Sequence, residues 1–243
     1  MSFELQAIGY IRSCFTDRFG VPRQPGLVPA ARAQLVLVAP YDDPQALTGL
    51  NDCTHIWVQF IFHRPPSQQW RARVRPPRLG GNKSLGVFAT RSPVRPNPIG
   101  LSVVRLEGIG RAPGKLWLEL SGIDLLDGTP VLDIKPYVPY TDCVPGARSG
   151  FADQAPVTRP VEFTPEALAA CARFQSRSDQ LETLIRQILQ QDPRPQYQRP
   201  DTQRRYGMTL FDLNIQWRYR GDDAIDALVV ETISEADTGP HRD

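Results

Sequence analysis

Arg91 and Arg95 lie in a proline-rich stretch and are the clearest candidates for chemistry in this sequence. Their guanidinium groups are planar forks that match the oxygens of a carboxylate or a phosphate. Pro93, Pro96 and Pro98 fix the backbone around them and remove three backbone donors, which predicts a rigid loop. A rigid loop with two arginines is typical of an anion-binding site, although a proline-rich connector with solvated arginines explains the same pattern.

Apolar segments on both sides of this loop predict the strands that hold it. Residues 85–89 form a short apolar run that predicts a buried strand, and residues 101–106 predict the next strand. The clearest strand is 55–63, in which every even-numbered side chain is apolar and the odd-numbered side is half polar. The half-polar side predicts a second surface, an interface or a site. His63 ends this strand beside the basic segment, and a purely structural histidine is the alternative.

Positive charge is concentrated in residues 64–95, which contain eight Lys or Arg residues and no Asp or Glu. The whole chain has a net charge of only +2, and residues 221–243 contain seven acids. A basic segment of this kind suits a polyanion such as RNA. A solvated basic face is the alternative, and the presence of Arg91 and Arg95 in the segment favours a binding role.

Two nucleotide-binding motifs fail at specific positions. Residues 80–84 resemble the end of a phosphate-binding P-loop, but Asn82 replaces the glycine before Lys83, and Pro77 replaces the first glycine. A glycine-rich dinucleotide fingerprint is absent, and no helices alternate with the strands of the first half. We therefore exclude nucleotide hydrolysis and a doubly wound sheet.

The strand pattern predicts a mainly β N-terminal domain at residues 1–142, closed into a barrel. The 24 prolines among 243 residues are about twice the usual share and favour β-structure with rigid loops. Residues 143–160 are polar and aperiodic and predict a linker. Residues 161–243 predict a smaller α+β domain, with Thr164 as a helix N-cap, an apolar helical stripe and an alternating strand that buries Trp217.

Composition narrows the class of protein further. The chain is 41% hydrophobic and has no apolar stretch near the length of a membrane span. Its N-terminus lacks the features of a signal peptide, so we expect a cytoplasmic protein. The cysteines, Cys14, Cys53, Cys143 and Cys171, form no C-x-x-C pair, and we expect no metal site.

Several longer motifs resemble the signature of the TrmO (YaeB) family. They are Phe-Ala-Thr-Arg-Ser-Pro at 88–93, Arg-Pro-Asn-Pro-Ile-Gly at 95–100 and Asp-Gly-Thr-Pro-Val-Leu-Asp-Ile-Lys-Pro-Tyr at 127–137. Residues 22–27, 74–82 and 191–197 match the family as well, so the resemblance covers almost the whole chain. Members of this family are S-adenosylmethionine-dependent tRNA methyltransferases. The resemblance implies a single-sheet β-barrel methyltransferase fold and a homodimer with the cofactor near the protomer interface.

The resemblance also implies a cofactor site when it is carried over position by position. Its residues are Pro25, Gly26, Leu27, His63, Arg64, Arg91, Leu101, Asp127, Gly128, Thr129 and Pro130. Arg64 stands where the family pattern has glutamine, so its backbone is the part expected to contribute. Arg91 or Arg95 would bind the carboxylate of S-adenosylmethionine, and backbone groups of residues 25–27 and 127–130 would bind its adenine.

The implied reaction is methylation of the N6 nitrogen of N6-threonylcarbamoyladenosine, just 3′ of the anticodon in a threonine tRNA. Methyl transfer is an in-line displacement, so most of the catalysis is expected to be positioning. Asp133, His63 and Tyr140 are candidates for a general base, and Lys135 is a candidate for holding the threonyl carboxylate. A structural ion pair between Asp133 and Lys135 is the alternative.

The C-terminal domain is predicted to bind tRNA. Arg194 would contact phosphate, together with Arg199, Arg204, Arg205, Arg218 and Arg220, and Tyr197 would stack on a base. In the barrel domain, Arg95 and Asn97 are further RNA-binding candidates. A non-catalytic RNA-binding or regulatory protein is the alternative function, because the basic segment fits it equally well. That alternative leaves the glycine- and proline-rich loops unexplained.

Overall fold

A computed structural model describes residues 4–67, 69–76, 83–150, 152–194, 198, 200–221 and 226–236. Its N-terminal strands are β1 (Gly9–Ser13), β2 (Arg32–Leu37), β3 (His55–Ile61), β4 (Arg73–Val74), β5 (Leu85–Gly86), β6 (Ile99–Ala112), β7 (Lys115–Ser121) and β8 (Pro130–Pro136). Six of them close into an antiparallel barrel in the order β1-β2-β7-β6-β3-β8, and β4 pairs with β5 outside it. The predicted mainly β, barrel-like fold is confirmed.

The barrel interior is filled by alternate side chains of its strands. Ile56 and Val58 on β3 are fully buried and Phe60 nearly so, which confirms the predicted apolar side of this strand. Leu35 on β2 and Leu118 on β7 are also fully buried. The residues between them in sequence point outward, so each strand presents one face to the core and one to the exterior.

One local prediction was wrong. Residues 85–89 form only two strand residues before a 3₁₀ turn, Val87–Ala89, which buries Val87 and leaves Phe88 77% exposed. The turn at Asp127 and Gly128 leads into β8, which pairs with β1 and β3 and not with β7.

The C-terminal part combines two helices with a four-stranded sheet. Its elements follow the short helix α1 (Pro139–Asp142) and are β9 (Val161–Phe163), α2 (Pro165–Arg173), α3 (Leu181–Gln190), β10 (Tyr206–Leu210), β11 (Leu213–Arg220) and β12 (Ala227–Glu235). The sheet order is β10-β11-β12-β9, with β9 parallel to β12. Thr164 caps α2 by accepting a hydrogen bond from the Ala167 amide at 3.2 Å, as predicted. Trp217 is fully buried, also as predicted.

The segment between β1 and β2 packs against both parts of the molecule. Phe19 stacks on Trp217 with 6.2 Å between ring centroids. The Ala30 amide donates to the Gln187 side chain on α3 at 2.8 Å. The two parts therefore share one continuous apolar core. The proposed domain boundaries stay a prediction.

None of the described helices is long and apolar enough to cross a membrane.

Candidate functional site

A cavity of about 630 Å³ lies between the start of β6, the end of β3 and the loop of Arg91 and Arg95. Its volume falls in the range of about 300–1,000 Å³ that is usual for small-molecule sites. Four aromatic side chains form much of its wall, namely Trp57, Phe60, Phe62 and Phe88. Its polar lining includes Gln24, Arg91, Arg95, Asn97, Ser102 and Asp124. Aromatic walls with a few charged groups suit a ligand with a flat ring and a charged end.

The two arginines of the predicted site have different surroundings. Arg95 donates to the backbone carbonyls of Thr90 and Ser92, both at 3.2 Å, and so braces its own loop. Arg91 is exposed and donates to the side chain of Gln24, on the loop after β1. Arg91 is thus the arginine that remains available to an anion in the cavity. The loop's rigidity comes from these bonds as well as from its prolines.

A carboxyl group in this cavity was missed by the sequence analysis. Asp124 accepts a hydrogen bond from the Ser102 hydroxyl at 2.7 Å, and both residues line the cavity. Burial raises the pKa of Asp124 to about 6, although the Ser102 hydrogen bond and the charge of Arg91 act in the opposite direction. The available signal was Ser102, a polar side chain on the otherwise apolar inner side of β6.

His63 belongs to a second group of predicted residues, beside the first. Its Nδ1 lies 3.4 Å from the Thr129 hydroxyl, and its buried Nε2 has no hydrogen-bond partner among the described residues. Burial lowers the pKa of His63, the charge of Arg64 lowers it further, and Asp127 opposes both. These effects favour the neutral form of His63, whose Nε2 has no hydrogen-bond partner in the described part of the chain. The segment from Asp124 to Asp127 joins this group to the cavity.

Most backbone donors of the two predicted turns are engaged inside the protein. The Gly26 amide donates to the Gly122 carbonyl at 2.8 Å. The amides of Asp127, Gly128 and Thr129 donate to Phe15, Ile11 and Leu126 at 2.8, 2.8 and 3.2 Å. Pro25 and Pro130 have no amide hydrogen, so among the backbone groups expected to bind adenine the Leu27 amide is the N–H that remains a candidate donor. Their carbonyl oxygens remain as candidate acceptors for the adenine amino group.

Three of the four residues predicted to act in catalysis, Asp133, Lys135 and Tyr140, lie on the outer surface and not in the cavity. Asp133 and Lys135 form an ion pair with each other, as the structural alternative proposed. Tyr140, on α1, is 90% exposed. Strand register aligns Leu101, Gln59 and Asp133 in one row across the outer face of β6, β3 and β8. Because Leu101 also lines the cavity, the cavity opens towards this row.

Arg194 is not presented to solvent. Its side chain is buried, pairs with Asp192 at 3.1 Å and lies over the ring of Tyr219. The Tyr219 hydroxyl donates to Asp192 at 2.9 Å, and Arg23 donates to the Arg194 carbonyl at 3.0 Å. The predicted phosphate contact by Arg194 therefore conflicts with its burial. Tyr197 lies outside the described residues.

Most other arginines of the C-terminal part are already paired. Glu231 binds both Arg205 and Arg218, at 3.0 and 3.3 Å, and Glu162 binds Arg220. Arg204 lies over the ring of Tyr206, and Arg199 is outside the described residues. Within the described ranges, no three His, Cys, Asp or Glu side chains come together as metal ligands.

The fold and the cavity define a class: a single-sheet β-barrel with a small-molecule site beside a basic segment, followed by an α+β domain. A family model described as the tRNA-methyltransferase O N-terminal domain matches residues 10–143, and the TrmO C-terminal domain model matches residues 156–234. The chain therefore belongs to the tRNA-methyltransferase O family. The resemblance found in the sequence is confirmed.

Individual relatives agree with this assignment. A Pseudomonas aeruginosa protein named "Putative S-adenosylmethionine-dependent methyltransferase RcsF" is 54% identical over 95% of this chain and 98% of its own length. The tRNA (adenine(37)-N6)-methyltransferase of Escherichia coli is 46% identical over 89% of this chain and 93% of its own length. The crystal structure of TrmO from Pseudomonas aeruginosa matches with a TM-score of 0.79 and 45% identity, over 96% of this chain and 99% of that one.

Proposed function

We propose that this protein is a tRNA methyltransferase that transfers the methyl group of S-adenosylmethionine to the N6 nitrogen of adenine 37. The observation that carries this proposal is a cavity with aromatic walls and Arg91, next to a basic segment, in a chain of the tRNA-methyltransferase O family. Both the Escherichia coli relative and the Pseudomonas aeruginosa relative carry names that support this activity. We further propose that the acceptor is N6-threonylcarbamoyladenosine in a threonine tRNA.

The residues of the cavity fit S-adenosylmethionine. The fork of Arg91 would bind the carboxylate of its amino-acid end. Phe60, Phe62 and Phe88 would hold its adenine by apolar and stacking contact. His63 and the carbonyls of residues 127–130 would supply further polar contacts, because the free Nε2 of a neutral histidine accepts or donates according to tautomer.

When bound, S-adenosylmethionine supplies a sulfonium methyl group, whose bond to sulfur breaks as its bond to nitrogen forms. The task of this chain is to place the acceptor nitrogen in line and to exclude water. We propose that the acceptor base enters over the row of Leu101, Gln59 and Asp133. Lys135 would then bind the threonyl carboxylate, which would release Asp133 to accept the proton that N6 loses.

The basic segment at residues 64–95 is the proposed contact for the tRNA backbone. Arg64, Arg71 and Arg75 are exposed, as is Arg73, which is tied to Ser84. The arginines of the C-terminal part are mostly paired with acids, so they contribute less free positive charge than their number indicates. Arg95 would act by bracing the loop, and Asn97, exposed at the cavity rim, would meet the RNA directly.

We also propose a homodimer in which the partner subunit covers Ile99 and Phe88 and borders the row over which the acceptor base enters. Ile99 is 39% exposed and Phe88 is 77% exposed, and Leu101 of that row is 50% exposed beside them. Apolar side chains that are adjacent and exposed favour association with a second surface. Light scattering across a range of protein concentrations would give twice the monomer mass. A monomer mass at micromolar concentration would contradict this part of the proposal.

The activity is tested with tRNA from a strain that lacks the gene for this protein. Purified protein, S-adenosylmethionine and that tRNA are incubated, and the nucleosides are separated by mass spectrometry. We expect the methylated form of N6-threonylcarbamoyladenosine with the wild type and its loss with Arg91→Ala. Arg111→Ala is the matched control, because Arg111 is exposed on β6, roughly 30 Å of strand away from the cavity.

Two results would contradict the proposal. If tRNA binds but no nucleoside gains a methyl group, the protein is an RNA-binding protein without this catalysis. If methylation occurs and Arg91→Ala and Arg111→Ala behave alike, the enzyme assignment stands and the cavity is not its site.

A further inference from the structure

We propose that Asp124 binds the α-ammonium group of S-adenosylmethionine while Arg91 binds its carboxylate. This inference rests on the proposed function and assigns a role to a residue that neither the sequence motifs nor the relatives' names provide. Asp124 and Arg91 both line the cavity, but they come from distant elements, the segment before β8 and the loop before β6. Together they make one positive and one negative group on the same cavity wall.

A cation bound next to Asp124 would stabilise its carboxylate. Ser102 donates one hydrogen bond to it, and none of the ion pairs among the described residues includes it. A carboxylate taken out of water without a cationic partner is destabilising. Burial accordingly raises the pKa of Asp124 to about 6, so that the group is ionised at pH 7 only at a cost. A ligand ammonium group would remove that cost.

Arg91 is not the cationic partner of Asp124. Its charge acts on Asp124, yet the two side chains form no ion pair, and Arg91 donates instead to Gln24. The amino-acid end of the cofactor carries its ammonium and carboxylate groups on one carbon atom. A site for it needs a carboxylate and a guanidinium that are close but not in contact, which is the relation of Asp124 to Arg91. The sulfonium has no N–H or O–H, so it cannot donate a hydrogen bond to Asp124.

A binding experiment with three ligands tests the ammonium and carboxylate groups of the cofactor one at a time. S-adenosylhomocysteine has the ammonium and the carboxylate without the sulfonium, decarboxylated S-adenosylmethionine has the ammonium and the sulfonium without the carboxylate, and 5′-deoxy-5′-methylthioadenosine has none of the three. Isothermal titration calorimetry measures each against the wild type, Asp124→Asn and Arg91→Ala. Asp124→Asn keeps an acceptor for Ser102 and removes only the charge. The matched control is Asp52→Asn, an exposed carboxylate on a 3₁₀ turn outside the cavity.

We expect Asp124→Asn to weaken S-adenosylhomocysteine and decarboxylated S-adenosylmethionine by about 10- to 100-fold, the usual effect of one hydrogen bond to a charged group. Binding of 5′-deoxy-5′-methylthioadenosine should not change. Arg91→Ala should weaken S-adenosylhomocysteine but not the decarboxylated ligand. A thermal melt of each variant establishes that it is folded before it is titrated.

Other outcomes overturn the inference. An equal loss for all three ligands would mean that Asp124 acts on the nucleoside or on the fold. Unchanged binding of S-adenosylhomocysteine with lost methyl transfer would make Asp124 a general base. If the wild type binds none of the three ligands, the proposed function itself fails. If the wild type binds them and methylates tRNA while Asp124→Asn binds normally, only this inference fails.

Discussion

Gly100 and Gly110 lie on the same strand, β6, and each faces an aromatic ring on a neighbouring strand. The register pairs Gly100 with Phe60 on β3 and Gly110 with Trp117 on β7. A Cβ atom built on either glycine comes closer than 3.0 Å to three atoms of that ring. Only Gly100 and Phe60 line the cavity, so Gly100→Ala and Gly110→Ala are a matched pair.

The cost of each substitution follows from how freely its ring can move. Phe60 is 4% exposed and packs edge-on against Phe62 at 5.0 Å between centroids. Overpacking of this kind costs about 1–3 kcal/mol, and replacing a strand glycine returns about 0.5–1 kcal/mol. Gly100→Ala should therefore lower the free energy of unfolding by about 1–2 kcal/mol and the Tm by about 2–8 °C. Trp117 is only partly buried and can turn towards solvent, so Gly110→Ala should cost about 1 kcal/mol or less.

The two glycine variants should differ in their affinity for the cofactor. Isothermal titration with S-adenosylhomocysteine, well below both melting temperatures, should show at least a roughly tenfold loss of affinity for Gly100→Ala, equal to about 1.4 kcal/mol. The added methyl group and the displaced ring both occupy cavity space. Gly110→Ala should bind like the wild type. A folded Gly100→Ala protein with an unchanged Kd would refute the assignment of this cavity to the cofactor.

Three further predictions concern charge. Asp192→Asn should lower the free energy of unfolding, measured in urea, by about 3–5 kcal/mol, because it leaves the buried Arg194 guanidinium without its carboxylate. The control is Glu162→Gln, which removes an exposed pair with Arg220 and should cost under about 1 kcal/mol. Asp124 has a folded-state pKa raised from 3.8 to about 6, so the native state binds the extra proton between those values and stability falls as pH rises through that window. Urea unfolding at pH 4 and pH 7 should show the wild type losing about 2 kcal/mol relative to Asp124→Asn, and parallel pH profiles would contradict the burial of this carboxyl. The binding constant for tRNA falls as salt rises, and Arg75→Ala should make the slope of log K against log salt shallower by about 0.7–0.9. A slope equal to that of the wild type would exclude a phosphate contact by Arg75.

Strands and helices with a regular pattern of apolar residues could be predicted from the sequence. The even-numbered side of β3 and the stripe of α3 are buried as their periodicity predicts. Thr164 caps α2 because its hydroxyl and the following proline act locally. These features depend on neighbours within one turn or one strand, so no knowledge of distant contacts was needed.

The parts of the site that the sequence did not predict depend either on distant contacts or on local hydrogen bonds and ion pairs that the pattern of residue types does not mark. Asp124 and Ser102 are 22 residues apart and meet only because β6 and β7 are neighbours in the barrel. Phe88 lies within a short apolar run that is typical of a buried strand, but a 3₁₀ turn points its side chain outward. The Thr90 hydroxyl donates a hydrogen bond to the Val87 carbonyl and closes that turn. Arg194 was predicted to bind phosphate because nothing in the sequence marks Asp192, two residues earlier and just after α3, as its buried partner.

Both walls of the cavity are held in place by the protein itself. On one side, Arg95 ties its own loop to the carbonyls of Thr90 and Ser92. On the other side, the loop that carries Gln24 is anchored in the C-terminal part, where Phe19 stacks on Trp217 and Arg23 binds the Arg194 carbonyl. A site that is ordered before its ligand arrives loses less conformational entropy on binding. The C-terminal part therefore supports the proposed cofactor site by holding this loop. Substitutions at Arg194 or Asp192 should accordingly affect the cavity through Arg23.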